Sequence, residues 1–210
     1  EFKLDIKTFV VLSILIGISL FLGSALQQVA LLHTDVANAA FFTIFYVPMV
    51  PIIVFVFKKK SIHWSVWPSV VLCLIGGYLL TNFYDSTVRL GDSLVLLGAL
   101  FWSTHIIFTG MIVTRYNLPL TIGALQTLIV AILSFIIGSI YEEFIFDNIL
   151  QEIDSILYAG ILSGGFAFVL QIYAQRSIAP APAAIIFSLE GVFATIAAWF
   201  LLNQILDINN

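Results

Sequence analysis

Long apolar runs alternate with short polar breaks along the chain. Seven runs read as helices, at about 8–31, 36–57, 64–82, 92–113, 120–140, 156–178 and 182–204. Each approaches the ~20 residues that carry a helix across a hydrocarbon core. The breaks hold helix-start signals. Thr34 or Asp35 can cap the second run, Asp92 the fourth, and Asp154 and Ser155 precede the sixth. Pro119 opens the fifth run, and Pro180 and Pro182 suit the first turn of the seventh. The pattern predicts an all-α membrane protein with about seven transmembrane helices.

Charge orients this stack. With the N-terminus on one side, that side collects Lys3, Lys7, Lys58, Lys59, Lys60, Arg115 and Arg176, and the other has only Arg89. An excess of basic residues marks the cytoplasmic face. The expected location is therefore the cell (inner) membrane, multi-pass, with the basic loops cytoplasmic. The acidic segment "YEEFIFDNILQEIDS" (141–155) falls on the opposite side. Lys58, Lys59 and Lys60 set topology or contact anionic lipid headgroups.

Composition agrees: 61% of residues are hydrophobic and 10% charged, with a mean hydropathy of +1.10. Such a chain cannot solvate the surface of a soluble domain. A single cysteine, Cys73, excludes an internal disulfide and a cysteine metal site. The chain starts "EFKLDIK", without Met, and stops at "NQILDINN" just after an apolar run. Both ends, and the odd helix count, are expected of a partial chain.

An internal repeat emerges at an offset of 144 residues. "LQQVALLHTDVANAA" (26–40) falls on "LQIYAQRSIAPAPAA" (170–184) without a gap. Leu26, Gln27, Ala30, Ala37, Ala39 and Ala40 meet Leu170, Gln171, Ala174, Ala181, Ala183 and Ala184. Alanine and leucine recur by chance in apolar helices, but glutamine is costly there and holds register. The first helix starts inside and the sixth outside, so the copies run in opposite senses. Inverted repeats are a transporter device.

One acid lies within an apolar run. Glu190 sits in "APAPAAIIFSLEGVFATIAAWFLL" (179–202), where an acid costs ~2.5–3.5 kcal/mol and marks a functional site by default. It lies ~12 Å into its helix, and His105 and Gln171 reach a similar depth in the cytoplasmic half. Glu190 either contacts substrate or a coupling proton, or bonds backbone and holds its helix in place. Trp102, His105 and Thr109 share one helical face, as a cavity wall or as packing. Thr43 and Tyr46 pair at i, i+3, and Tyr46 is the repeat partner of Glu190. Gln126 reads as an interhelical hydrogen bond. Gly160 with Gly164, and Ala184, Ser188, Gly191, Thr195 and Ala198, form small-residue stripes that permit close helix contact.

Several stretches carry a family resemblance: "VANAAFFTIFYVPMVPI" (36–52), "LIGGYLL" (74–80), "LGDSLVLLGALFWSTHIIFTG" (90–110), "LQTL" (125–128) and "FVLQIYAQRSIAPAPAAIIFSLEGVFATIAAWFLL" (168–202). Together they resemble the EamA-type transporters of the drug/metabolite transporter superfamily. The resemblance implies a ten-helix fold of two inverted five-helix halves. Residues 1–82 then match the end of the N-terminal half (third to fifth helices), and 83–210 the C-terminal half (sixth to ninth), with the first two helices and the last absent. The family's ninth helix usually carries proline after its glutamate. Here Gly191 stands there, which leaves the local bend open.

The repeat predicts a secondary transporter working by alternating access, and the resemblance implies export of a small organic solute (amino acid, metabolite or drug). The expected substrate-binding or cavity-lining residues are Glu190, His105, Trp102, Gln171, Tyr46, Thr43 and Gln27. A truncated remnant or a non-transporting membrane scaffold is the alternative. An enzyme is not expected: there is no H-E-x-x-H helix and no pair of intramembrane aspartates. No Gly-rich Lys-Ser/Thr loop is present, so ATP is not expected to be used. No cofactor or metal and no nucleic-acid partner is expected. The expected partners are solute and membrane lipid, with a homodimer possible.

Overall fold

A computed structural model describes residues 5–34, 36–59, 62–80, 89–190, 192 and 193. Among these the chain is all-helical, without a strand. The elements are α1 (Ile6–Ala30), α2 (Val36–Thr43), α3 (Tyr46–Lys58), α4 (Val66–Leu80), α5 (Leu90–Tyr116), α6 (Pro119–Tyr141), α7 (Phe146–Gln151), α8 (Ile153–Leu157), a π-helical segment (Tyr158–Ala167), α9 (Phe168–Ala174) and α10 (Pro180–Phe187). Five helical stretches are long and apolar enough to cross a membrane: Ile6–Ala30, Asn38–Phe57, Leu90–Tyr116, Pro119–Tyr141 and Ile153–Ala174. They correspond to five of the seven expected helices. The third is the shorter apolar helix Val66–Gly76 within α4. The seventh begins as α10, and from residue 194 onward it lies outside the described residues.

Two expected helices are interrupted. The second is broken at Ile44 and Phe45, between α2 and α3. Pro48 explains this break, because it has no N–H to give the Ile44 carbonyl. Val47 N–H takes that carbonyl instead at 2.9 Å, and Phe45 N–H bonds Phe42, also three residues back, at 3.2 Å. The seventh is broken at Ser188 and Leu189, after α10. Gly191, where the bend was left open, lies outside the described residues. The sixth expected helix, 156–178, ends at Ala174 and carries the π-helical segment. Gly160, Gly164 and Gly165 leave room for its wider turn. The close helix contact expected at Gly160 is not made among the described residues, since no atom lies within 4 Å of the site of an added Cβ.

Contacts group the chain into two units, Glu1–Phe21 with Phe108–Ile178, and Leu22–Ile107 with Ala179–Asn210. In the first unit Phe9, Leu12 and Ile16 follow helical spacing along α1. They pack with Ile112, Val113 and Tyr116 of α5, Ile122 of α6 and Ile172 of α9. The Phe9 and Tyr116 rings meet edge to face at 5.1 Å. Gly17 admits Ile129, whose side chain lies 2.6 Å from where a Cβ would stand. Asn117, at a φ of 53°, closes α5 with its N–H on Val113 O at 2.9 Å. Asp5 caps α1: its carboxylate accepts Thr8 N–H at 3.2 Å and the Thr8 hydroxyl at 2.5 Å. Arg115 lies 3.6 Å from the same carboxylate.

In the second unit α10 packs on α3 and α4, and α2 on α4. Ala30, Ala39 and Val95 form a small buried cluster with Phe42 and Leu94 against it. Asp92 stands in the first turn of α5 rather than at its N-cap, because the helix starts two residues earlier, at Leu90. Its buried carboxylate accepts Arg89 N–H at 2.8 Å and the Thr34 hydroxyl. The Thr34 side chain is therefore spent on Asp92 and not on capping α2. Asp35 lies outside the described residues. Gly91 makes this meeting possible, since a Cβ there would stand 2.7 Å from Ala30 O and 2.8 Å from the His33 carbonyl carbon.

The repeat seen in sequence recurs in the backbone. α1 ends at Ala30 and α9 at Ala174. α2 runs Val36–Thr43 and α10 runs Pro180–Phe187. In the turn between, Leu31, Leu32 and His33 N–H bond Gln27, Val29 and Ala30 O. Gln175, Arg176 and Ser177 N–H bond Gln171, Tyr173 and Ala174 O, each 144 residues on. The correspondence continues through the breaks, where Ile44 to Ala40, Phe45 to Phe42 and Met49 to Phe45 match Ser188 to Ala184, Leu189 to Ile186 and Phe193 to Leu189.

Two predictions follow from these contacts. Thr34→Val should lower stability by about 1.5–3 kcal/mol, since it leaves a buried carboxylate short of a donor. Thr34→Ser should restore most of it, and Gly91→Ala should exceed it because fixed backbone blocks the new methyl. Thermal unfolding in detergent micelles reads all three, and a Thr34→Val chain as stable as the parent would refute the clasp. The Asp5 carboxyl is held below its ordinary pKa of 3.8, first by the Thr8 hydroxyl, then by Thr8 N–H and by the Arg115 charge. Its stabilisation of the first turn of α1 is present at neutral pH and is lost as pH falls through that lowered midpoint. A carboxyl-carbon NMR titration should find the midpoint under 3.8. Asp5→Asn should abolish the pH response of the first-turn amides.

Candidate functional site

Six of the seven expected site residues fall in the second unit: Gln27, Thr43, Tyr46, Trp102, His105 and Glu190. Gln171 falls in the first unit, half-buried on α9. Within the second unit three of the six form one cluster. The end of α1 presents Gln27, and α5 presents Trp102 and His105 one turn apart. Trp102 Nε1–H donates to Gln27 Oε1 at 3.3 Å. The Trp102 and His105 rings meet edge to face at 6.1 Å. Gly23 lets the indole lie against α1, with ring atoms 3.2 Å from where a Cβ would stand. His105 is fully enclosed, whereas Gln27 and Trp102 are half-buried. Thr109, expected on the same face, belongs to the first unit.

The other three gather at the helix breaks. Thr43 ends α2, and its hydroxyl bonds Ala39 O at 2.7 Å. Tyr46 is the first residue of α3 and is buried. Ser103 of α5, itself fully buried, reaches the Tyr46 carbonyl at 3.4 Å and Ala99 O at 2.7 Å. Glu190 holds the matching place after the second break and is exposed. Its carboxyl and the Cys73 thiol lie within electrostatic reach of Tyr46. Repeat-related Tyr46 and Glu190 therefore neighbour each other within one unit. Among the described residues no hydrogen bond or ion pair engages the Glu190 side chain.

The Tyr46 phenol, the Cys73 thiol, the Ser188 hydroxyl and the Glu190 carboxyl thus gather near the second break. Among the described residues no group of three His, Cys, Asp or Glu side chains could hold a metal ion.

Several polar residues in the interior went unnoticed in the sequence. Asn38 and Gln175 are buried, as is Gln126, which was expected to bond between helices. The contact of Cys73 with Ser188, at 3.3 Å across 115 positions, had no local signal. A separate apolar groove of about 460 Å³ lies in the first unit, between Leu120, Ala124 and Leu128 of α6 and Gly165, Phe166 and Val169. None of the seven expected residues lines it.

Comparison with known proteins accords with this picture. The profile of the EamA-like transporter family matches residues 89–210. An "Uncharacterized transporter" of Archaeoglobus fulgidus is 31% identical over 191 residues, covering 91% of this chain. The chain spans 61% of that relative's length. With more than half of the chain matched by the family profile, the chain belongs to the EamA-like transporter family.

Proposed function

We propose that the protein is a secondary transporter that exports a small organic solute, an amino acid, metabolite or drug, by alternating access between two inverted repeats. The observation that carries this reading is the backbone repeat. Two copies share a helix end, a turn and a broken helix, with six backbone hydrogen bonds matched at one offset. A repeat that presents the same fold to both membrane faces supplies two access states from one design, and broken helices supply polar backbone at membrane depth.

On this reading residues 1–82 and 83–210 contribute to the two halves, and the basic loops face the cytoplasm. Glu190 contacts the solute or carries a coupling proton, with Tyr46 beside it. Thr43, Gln27, Trp102 and His105 shape the same region, and Gln171 is the counterpart of Gln27 in the second copy. That no hydrogen bond or ion pair engages Glu190 among the described residues supports its place on the solute path.

Reconstitution of the chain in proteoliposomes tests this, with amino acids and cationic dyes as solutes, across pH. Transport of at least one solute is expected. Glu190→Gln should reduce it about tenfold or more, the factor carried by one charge-assisted contact of ~1.5–3 kcal/mol, and should flatten its pH response. Normal insertion without transport of any solute would favour a scaffold or remnant. Transport unchanged by Glu190→Gln would leave a carrier whose glutamate is structural.

A further inference from the structure

The two helix breaks match in position but not in cause. At the first, Pro48 withholds an N–H, and the turn tightens around Ile44 and Phe45. Position 192, which matches it, is valine, so no proline enforces the second break. What marks the second break is a side-chain chain of hydrogen bonds. Ser188 Oγ–H donates to Ile185 O at 2.7 Å, and Cys73 Sγ lies 3.3 Å from Ser188 Oγ. A hydroxyl has one hydrogen. With that hydrogen on Ile185, the Cys73 thiol is the donor to Ser188. Cys73 belongs to α4, which packs on α10, so the thiol joins a neighbouring helix to the break itself. Each break is closed by a hydroxyl one position apart in register, Thr43 on Ala39 O in the first copy and Ser188 on Ile185 O in the second.

A backbone opening at a helix interruption exposes fewer paired groups than one in mid-helix, because the interrupted ladder has already given up regular bonds. Such places open at lower free energy than the continuous helices beside them. In lipid they still need internal partners. We propose that Ile44–Phe45 and Ser188–Leu189 are a matched pair of hinges, and that the Cys73 thiol latches the second one through Ser188. The first hinge is set permanently by proline. The second is held by a bond that one side chain can release, next to Glu190. The device gives the two copies unequal stiffness despite equal backbone geometry. It does not rest on the solute reading, because its readouts need no transport.

The test uses the whole chain in lipid nanodiscs, with amide hydrogen exchange and alkylation of Cys73 by N-ethylmaleimide. Cys73 is the only thiol, so alkylation reports on it without background. Amides 44–47 and 188–190 should exchange about tenfold faster than the centres of α1 and α5, as segments of low local stability do. Ser188→Ala should speed exchange at 188–190 and Cys73 alkylation about fivefold, the factor for one net hydrogen bond, and leave 44–47 unchanged. Pro48→Ala should slow 44–47 and leave 188–190 unchanged. Should Ser188→Ala fail to insert, Cys73→Ala and Cys73→Ser take its place. Alanine should speed exchange at 188–190, whereas serine, which keeps a donor, should not. Breaks that exchange no faster than α1 and α5 would overturn the hinges. Exchange at 188–190 that ignores the loss of the Ser188 hydroxyl, or of a donor at position 73, would overturn the latch.

Discussion

A chain that crosses hydrocarbon must satisfy its own backbone, because the lipid interior offers neither donor nor acceptor. α1, α5 and α6 meet that demand by running unbroken for 25, 27 and 23 residues. Where a helix is interrupted the demand has to be met locally. Bonds reaching three residues back, and hydroxyls of Thr43 and Ser188 folded onto preceding carbonyls, do so at the two breaks. The positions of Tyr46 and Glu190 follow from this, since each is the first residue after a repaired interruption. A polar side chain there enters a region whose backbone is already polar, so it costs less than the same group in mid-helix.

The same rule separates the two carboxylates in the second unit. Asp92 is almost fully buried, and its oxygens are taken by Arg89 N–H and the Thr34 hydroxyl. It fastens the turn after α1 to the start of α5, at a meeting that Gly91 makes close enough. Glu190 has no such cage among the described residues. One acid is consumed by architecture and the other is left available. That difference in satisfaction, rather than residue type, distinguishes a structural carboxylate from a candidate recognition group.

Much of the fold was legible because apolar length and helix-start residues are local signals. The fifth expected helix, 120–140, is found at Pro119–Tyr141, and Pro180 opens α10 as expected of a first-turn proline. Pro48 was visible in the second helix, yet the run still read as continuous, because apolar periodicity does not register one missing N–H. The π-helical turns of 158–167 were equally hidden, since wider turns keep the same composition. At the site, the pairing of Trp102 with His105 followed from their one-turn spacing. Its link to Gln27, and that of Cys73 to Ser188, did not, because such contacts depend on how helices approach. Equivalence of Tyr46 and Glu190 was readable from the repeat alone. Their proximity required the packing of α10 on α3.

The two copies of the repeat share backbone geometry more closely than side-chain chemistry. Among the described residues, six backbone hydrogen bonds between Gln27 and Met49 recur between Gln171 and Phe193, while most side chains differ. Proline makes one break and a serine–thiol chain accompanies the other. A phenol follows one and a carboxylate the other. On the proposed alternating-access reading, two halves that must occupy equivalent shapes on opposite faces are constrained in where the backbone bends. They are not constrained in what each bend presents. A single ionisable group then suffices, because placing an acid at both bends would set like charges close together in a medium of low dielectric, where their repulsion is costly. An acid beside a phenol instead gives the carboxyl a hydroxyl neighbour, so the matched backbone positions carry unlike chemistry.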